Sequence, residues 1–546
     1  MNRNIKVGVV QMNSHVGAID YNLKKIIKFI KLGRNRKVDL LCFPELALVG
    51  YPPEDLLLSK NFLKATELAV KQIQRIDKNI SYIVGYPKLI GGKLYNVAGV
   101  FIHGELKYEY KKIRLPNYGV FDEQRYFETG EEPLIFKFKN RNICLTICED
   151  IWNDFKISQG SSKEYLPDLL INLSASPFNI RKQNERLKLL GNIARKNNIE
   201  VVYSNLVGGQ DEVVFDGNSF FLDCEGRMIS KAQEFQEELK IQDLNYKKEN
   251  KKPFFKRKNK QDNLSSIFSA LSIGLRDYVI KNGFKKVVIG ISGGIDSALV
   301  SAIAVKSLGP KNVLGIAMPS KFNSELSLKL AQMLSANLGF RLKVSSIQEI
   351  FQKNLELLSK KIYGKTSFDA TEENLQARIR ANILMATSNK IGSLLLSTGN
   401  KSEISVGYST LYGDAAGGIA ILKDIPKILV YDLARFYNSQ NSSNLIPNKI
   451  ISRDPSAELR ANQKDSDSLP PYRILDKILE AYIEGGKEVS EISRLLKVQK
   501  SLVRKIINKI NDSEFKRKQG PPGIKITSKA FGRDRRYPIT NGFKEA

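Results

Sequence analysis

Short apolar runs separated by longer periodic stretches fill the first 245 residues. The runs KVGVVQM (6–12), VDLLCFP (38–44), SYIVGYP (81–87), ICLTICE (143–149), DLLINLS (168–174), VVYSNLV (201–207) and NSFFLDC (218–224) have the length and branched content of buried strands. Between the first two, YNLKKIIKFIKLG (21–33) sets Leu23, Ile26, Ile27 and Ile30 on one helical face, and Gly33 follows where a C-cap is expected. Alternating strands and helices predict an α/β domain over residues 1–245.

The periodicity stops at YKKENKKPFFKRKNKQD (246–262), which is polar, basic and carries one Pro. An exposed connector is expected there. Beyond it the pattern resumes with an amphipathic helix, LSSIFSALSIGLRDYVIKNG (264–283), a strand, KKVVIGI (285–291), a glycine turn and a second helix, SALVSAIAVKSLG (297–309). A second α/β domain is therefore predicted over 263–546. There is no internal repeat.

Composition narrows the classes. The chain has 546 residues, 42% hydrophobic and 26% charged, enough for two cores of soluble globular type. No apolar stretch approaches the roughly 20 residues of a membrane span, and the N-terminus moves straight into a strand pattern without the apolar core of a signal peptide. A cytoplasmic protein with no membrane partner is expected. The balance of 86 Lys+Arg against 57 Asp+Glu gives +29. Such an excess can mean a nucleic-acid partner, an anionic small substrate or a lysine-rich proteome. The basic residues are spread along the chain without interleaved aromatics, which favours the last two and predicts no nucleic acid. Four cysteines (Cys42, Cys144, Cys148, Cys224) form neither a disulfide framework nor a CxxC metal site, and only His15 and His103 exist to build a triad or a His-rich metal cluster.

The strand 285–291 runs into SGGIDS (292–297). Glycines at 293 and 294 free the backbone so that several N–H groups point at one spot, and the helix that follows adds its dipole: an anion cradle. Ser292, Gly293, Gly294, Ile295, Asp296 and Ser297 are the candidate phosphate site. It lacks the Lys of the Walker loop and offers Asp296 for Mg²⁺ instead. This stretch resembles the PP-loop ATP pyrophosphatases. LSTGNKSEISVGYSTLYGDAAGGIAILKDIPK (396–427), ENLQARIRANILMATSNK, AELRANQKDSDSLPPY and FGRDRRYPIT resemble the NAD⁺ synthetases within that group. The resemblance implies a Rossmann-like PP-loop domain (adenine nucleotide alpha hydrolase-like) with a parallel sheet. It implies Thr398 and Arg380 at ATP, Asn374, Glu403 and Lys427 at deamido-NAD⁺, and Asp296 with Glu403 as ligands of Mg²⁺. Ser466 stands where many such sequences carry Gln or Glu, which leaves Asp465 in the motif. The two carboxylates face a substrate pyrophosphate and a triphosphate, so a cation between them and Lys and Arg around them are electrostatically required.

The first half carries its own chemistry. In LTICEDIW (145–152), Cys148 ends an apolar run and two acids follow it. Cys144 sits four residues earlier, on the same strand face if the alternation holds, and is read as a buried apolar residue. FPELALVGYPPEDLL supplies Glu45, and YKKIRLPNYGVFDEQRYF supplies Lys112 before a turn. Glu, Lys and Cys in that order resemble the catalytic set of the nitrilase superfamily, and the surrounding wording resembles its glutaminase branch. The resemblance implies an αββα sandwich in which Cys148 attacks glutamine, Glu45 takes the thiol proton and Lys112 holds the developing charge. Glu123 is a candidate for assisting proton transfer and for the glutamine pocket. Tyr51, Tyr118, Ser174 and Ser176 are candidates for the glutamine pocket, and GGQDEVVFDG (208–217) is either a further wall or a glycine-rich hairpin.

Both resemblances together imply a glutamine-dependent ligase: ammonia released from glutamine amidates deamido-NAD⁺ after ATP has adenylated its nicotinate carboxyl, along a protected path. Glutamine, ATP and deamido-NAD⁺ are the expected partners, Mg²⁺ the expected cofactor, and a homo-oligomer the expected assembly.

Overall fold

The computed structural model describes residues 4–152, 166–245, 259–364, 367–461 and 463–545. Most of the connector expected at 246–262 lies outside them. The chain divides into two compact units, Met1–Asn259 and Lys260–Ala546.

The first unit contains two six-stranded sheets. One is built from Ile5–Gln11 (β1), Leu40–Cys42 (β2), Ser81–Ile90 (β3), Lys93–Ile102 (β4) and Glu105–Lys111 (β5). The other is built from Leu134–Phe138 (β6), Arg141–Ile147 (β7), Leu169–Ser174 (β8), Glu200–Asn205 (β9), Phe220–Leu222 (β12) and Met228–Lys231 (β13). Val207–Gln210 (β10) and Val213–Asp216 (β11) pair separately as a hairpin, and Glu238–Leu244 (β14) returns to β1, giving orders β14-β1-β2-β3-β4-β5 and β13-β12-β9-β8-β7-β6. Each sheet has a parallel centre, β1-β2-β3 or β7-β8-β9, with antiparallel flanks. Val7, Val9, Leu40 and Ile83 of one sheet pack on Ile143, Ile147, Ile171 and Val202 of the other. Helices Ile19–Asn35 (α1) and Lys60–Ile73 (α2) cover the outer face of the first sheet, and Lys182–Asn197 (α3) that of the second, so the unit is an αββα sandwich.

Two local readings change. Gly33 is not a C-cap: α1 runs through it to Asn35, and the left-handed turn falls on Lys37 (φ 54°). A β-carbon at 33 would lie 2.6 Å from Leu41 Cδ1, so the glycine serves close helix-to-sheet approach. Cys144 does not share a face with Cys148. Cys144 packs with Leu170 and Leu190 under α3, whereas Cys148 belongs to the core between the sheets. Its backbone, one residue past β7, turns left-handed (φ 41°) and breaks the alternation.

The second unit holds a five-stranded, wholly parallel sheet in the order β17-β16-β15-β18-β19, from Val287–Gly290 (β15), Val313–Ala317 (β16), Arg341–Val344 (β17), Leu394–Ser397 (β18) and Ile419–Ala420 (β19). Helices Lys260–Lys281 (α4), Ile295–Leu308 (α5), Glu325–Leu338 (α6), Gln348–Lys361 (α7), Ala370–Ile391 (α8), Lys401–Ser405 (α9) and Lys427–Ser439 (α10) belong to this unit. Strand order reverses at β15, and the loops after β15 and β18 flank the crevice that such a reversal opens. Leu475, Ile492, Val503 and Ile507 centre a separate helical core nearer the C-terminus. Among the described residues no helix is long and apolar enough to cross a membrane.

We predict that Gly33→Ala lowers the thermal midpoint, although Ala is the better helix former by about 1 kcal/mol. Overpacking against the fully buried Leu41 costs about 1–3 kcal/mol, and the larger cost should win. A raised midpoint in a melting experiment would show that helix propensity dominates there.

Candidate active sites

In the first unit the candidate side chains gather just beyond the carboxyl ends of β2, the antiparallel edge strand β5, and β7. Glu45 lies three residues beyond β2, Lys112 directly after β5, and Cys148 directly after β7. Lys112 is fully buried, with its ammonium 2.6 Å from Glu45 Oε1 and 2.8 Å from Glu123 Oε1. Glu45 is also fixed from two further sides: Asn96 Nδ2 donates to Oε1 at 2.8 Å, and the Ala175 amide donates to Oε2 at 2.9 Å. Tyr51 donates its hydroxyl to Glu123 Oε1 at 2.8 Å. Two buried carboxylates thus share one ammonium, a set with net charge −1 when all are ionised.

That imbalance sets the protonation states. Burial pushes the Glu123 carboxyl up to about 7, Lys112 opposes the rise and Glu45 adds to it. Its Oε2 has no hydrogen-bond partner among the described residues, as suits a carboxyl that carries a proton there. Lys112 loses solvation on burial, yet Glu123 and Glu45 hold it firmly as ammonium. Burial drives the Cys148 thiol up, Glu45, Glu123 and Glu149 push further, and Lys112 alone among these pulls it down. The resting sulfur is therefore a neutral thiol with a carboxylate base and an ammonium in electrostatic reach. The left-handed backbone at Cys148 costs on the order of 1–3 kcal/mol, a strain of the kind found at nucleophile turns.

The remaining candidates spread around this centre. Tyr118 is half-exposed and donates to Glu149 Oε2 at 2.9 Å. Ser174 ends β8 but spends its hydroxyl on Asn172 Oδ1 at 2.7 Å. The Ser176 hydroxyl accepts from Arg186 Nε at 3.2 Å. Residues 207–216 form the hairpin β10-β11, and its Phe215 meets the Tyr51 ring edge-on at 6.3 Å. Sequence reasoning missed Asn96, although a buried Asn inside the apolar run LYNVAGVF is itself a signal of a polar partner. It also missed Arg186, whose guanidinium bridges Asp216 and the carbonyls of Ser176 and Pro177 and so shapes the 174–178 loop.

The second unit repeats the charge pattern. A cavity of about 510 Å³ is lined by Ser292, Gly294, Asp296, Thr398, Glu403, Lys427, Asn374 and Arg380, among others. The Lys427 ammonium, almost fully buried, lies 2.6 Å from Asp296 Oδ2 and 2.8 Å from Glu403 Oε1. Burial pushes the Glu403 carboxyl up to about 7, against Lys427 and with Asp296. Asn400 Nδ2 holds the other Asp296 oxygen at 3.0 Å.

The cradle is a turn stapled by hydroxyls. The Gly294 amide donates to Ser292 Oγ at 3.2 Å, and Ser297 Oγ donates to the Gly294 carbonyl at 3.1 Å. Gly293 sits at φ 79°, where a β-carbon would lie 2.3 Å from the Ser327 carbonyl oxygen, so only glycine fits. Ile295, the first residue of α5, is buried beneath the turn. Arg380 donates to the Met318 carbonyl and to Asn323 Oδ1, both at 3.0 Å, and burial lowers it to about 10. Asn374 accepts from Thr410 Oγ1 at 2.6 Å. Asp465 is buried and accepts from Tyr472 at 2.8 Å, while Ser466 is exposed. Sequence reasoning missed Tyr472, which also reaches Glu403 at 3.3 Å, and Asp476, which holds Ser402 and the Ile428 amide beside Lys427. In the FGRDRRYPIT segment, Arg535 is tied to Glu514 and Asn511.

Asp296 and Glu403 suit a hard divalent cation. Mg²⁺ takes one or two carboxylates and completes its shell with water and substrate phosphate. No group of three or more His, Cys, Asp or Glu side chains able to hold a metal occurs among the described residues. The donor set therefore fits an ion delivered with a nucleotide rather than a fully protein-ligated one.

Known proteins align with both units. Residues 6–250 match the carbon-nitrogen hydrolase family and residues 267–520 the NAD synthase family. A hydrolase of carbon–nitrogen bonds joined to a synthase defines an amide-transferring ligase. A glutamine-dependent NAD(+) synthetase of Thermotoga maritima is 43% identical over 575 aligned positions, covering 100% of both chains, and one of Acinetobacter baylyi is 40% identical over 99% of both. The solved glutamine-dependent NAD⁺ synthetase of Acinetobacter baumannii, in complex with ADP, superimposes with a TM-score of 0.78 at 38% identity over 100% of both chains. That of Cytophaga hutchinsonii gives 0.85 at 22% identity over 99% of this chain and 98% of its own, which speaks for the fold. The chain belongs to the glutamine-dependent NAD⁺ synthetases.

The carboxyl shift of Glu123 gives a pH prediction. A carboxyl raised from about 4.3 when unfolded to about 7 when folded binds its proton more tightly in the folded state. The stability it contributes is present at low pH and lost as pH rises through about 7. Glu123→Gln removes this dependence, so its melting midpoint relative to the wild type should rise between about pH 5 and pH 7, between the unfolded and folded values. Parallel melting curves across that range would contradict the shift.

Proposed function

We propose that this chain makes NAD⁺ by amidating deamido-NAD⁺ with ammonia taken from glutamine, at the expense of ATP, and that its two buried lysine-carboxylate sets divide the work. The observation that carries the reading is the convergence of Glu45, Lys112 and Cys148 in one unit and of the glycine cradle, Asp296, Glu403 and Lys427 in the other.

In the first unit, the Cys148 sulfur attacks the glutamine carboxamide carbon. Its proton passes to Glu45, already oriented by Asn96, Lys112 and the Ala175 amide. The Lys112 ammonium lowers the energy of the thiolate and of the tetrahedral oxyanion, which carry charge only along the reaction path. Collapse expels ammonia, with its third hydrogen returned from the protonated base, and leaves a glutamyl thioester. Water attacks that thioester and releases glutamate and the thiol. Glu123, its carboxyl pushed up to about 7, keeps Lys112 in position and bonds Tyr51.

In the second unit, the turn 292–297 and the N-terminus of α5 receive ATP phosphates. Thr398 and Arg380 contact the nucleotide, and Asn374, Glu403 and Lys427 face deamido-NAD⁺. Mg²⁺, held by Asp296 and Glu403 when bound, supplies charge neutralisation for the departing pyrophosphate. The nicotinate carboxylate attacks the α-phosphorus, pyrophosphate leaves, and ammonia then displaces AMP from the mixed anhydride. A carboxylate resists ammonia and its adenylate does not, which is why ATP is consumed.

The test measures NAD⁺ with ATP, Mg²⁺ and deamido-NAD⁺, using glutamine or ammonium as nitrogen source. Cys148→Ala should abolish glutamine-supported synthesis and keep ammonium-supported synthesis, and Cys144→Ala should keep both; a Cys148→Ala enzyme that still uses glutamine would remove the nucleophile from the scheme. Asp296→Asn and Glu403→Gln should lose synthesis with either source by about 10²-fold or more, on the scale of losing one electrostatic contact to developing charge. In wild type AMP and pyrophosphate should appear in step with NAD⁺. Near-normal turnover of either variant, or ADP as product, would overturn the assignment of the second site.

A further inference from the structure

Asp150, the second of the two acids that follow Cys148, is assigned no task by the scheme above. Asp150 is almost fully buried. Its carboxylate accepts four hydrogen bonds. Oδ1 takes the Ile113 amide at 3.1 Å and the Arg114 amide at 2.8 Å. Oδ2 takes the Ile147 amide and the Tyr110 hydroxyl at 2.8 and 2.7 Å. Three of these donors flank Lys112: Tyr110 two residues before it, Ile113 and Arg114 immediately after. The fourth, Ile147, immediately precedes Cys148.

Lys112 leaves the edge strand of one sheet and Cys148 leaves β7 of the other. No sheet hydrogen bond joins those two strands, so the distance between ammonium and sulfur is not fixed by strand register. It depends on whatever crosses the sandwich at this end. We propose that Asp150 is a positioning residue for amide hydrolysis, a clamp across the two sheets that sets Lys112 against Cys148 and holds the left-handed turn at the nucleophile. Bonds to a charged acceptor are about twice as strong as neutral ones, and four of them on one buried carboxylate leave neither segment free to move alone. Burial raises the Asp150 carboxyl, but the Arg114 and Ile147 amides, Lys112 and Tyr110 all favour its ionised form. The clamp needs that form, because all four partners are donors and a neutral amide would set its own N–H₂ against some of them.

The inference rests on Cys148 as the nucleophile, and its test keeps the two apart. Asp150→Asn is compared with Tyr110→Phe and Cys148→Ala in the full chain, with kcat and KM for glutamine and the rate with ammonium measured for each. Asp150→Asn should lower kcat for glutamine by about 10²-fold, the scale of a misplacement near 1 Å. KM should stay within a few fold, and synthesis from ammonium should be unchanged. Tyr110→Phe removes one of four donors and should cost about fivefold in kcat, the scale of one hydrogen bond. A glutamine kcat for folded Asp150→Asn within threefold of wild type would overturn the clamp. So would a loss with ammonium that parallels the loss with glutamine, since that reports general destabilisation. If Cys148→Ala itself keeps glutamine-supported synthesis, the reading of the nucleophile fails instead.

Discussion

An ammonium buried between two carboxylates is expensive to assemble and cannot be left half made. Each charge taken from water costs several kcal/mol, which only close opposite charge and further hydrogen bonds return. Both units are organised around such a set: Lys112 with Glu45 and Glu123, and Lys427 with Asp296 and Glu403. In each, burial pushes one carboxyl up to about 7, and the second acid beside the shared ammonium adds to the rise. The surplus negative charge also has a direction. In the second unit it invites a cation carrying phosphate; in the first it opposes a thiolate until substrate chemistry requires one.

The folds differ but place their sets by the same rule. Residues just beyond the carboxyl ends of parallel strands converge, because neighbouring parallel strands end side by side and their loops emerge on one edge. Glu45 and Cys148 follow parallel strands of separate sheets that face each other across one core, which brings a carboxylate from one layer towards a thiol of the other. In the second unit the loops after β15 and β18 carry the glycine cradle and Thr398 to the reversal point of the sheet. The buried neutral partners, Asn96 and the Ala175 amide at one site and Asn400 at the other, give the carboxylates fixed orientation rather than additional charge.

Much of this was legible in the sequence. Strands buried on both faces announce themselves as apolar runs, so the parallel centres of both sheets were visible, and SGGIDS between a strand and a helix carried its own geometry. Of the antiparallel flanks, β12 showed itself in NSFFLDC, but β5, ELKYEYK, and β13, MISK, are half-exposed and mix charges with apolar residues, so no clean period marks them. Alternation failed at Cys148 because one left-handed residue turns its side chain to the opposite face from the one period two assigns. Helix punctuation failed at Gly33 because a glycine needed for close packing has the same letter as one needed for a cap. What Asp150 of LTICEDIW does was unreadable, since three of its four donors lie 36 to 40 residues away, in or just after β5 of the other sheet.

The central claim is that the lysine-carboxylate set of the first unit serves covalent chemistry on Cys148. Rapid acid quenching of the enzyme with glutamine, followed by peptide mass analysis, addresses it most directly. The account predicts a glutamyl adduct on the peptide containing Cys148, labile to base as a thioester is, and absent from Cys148→Ala. An adduct on Cys42, Cys144 or Cys224 instead, or glutamate released by Cys148→Ala at the wild-type rate, would contradict it.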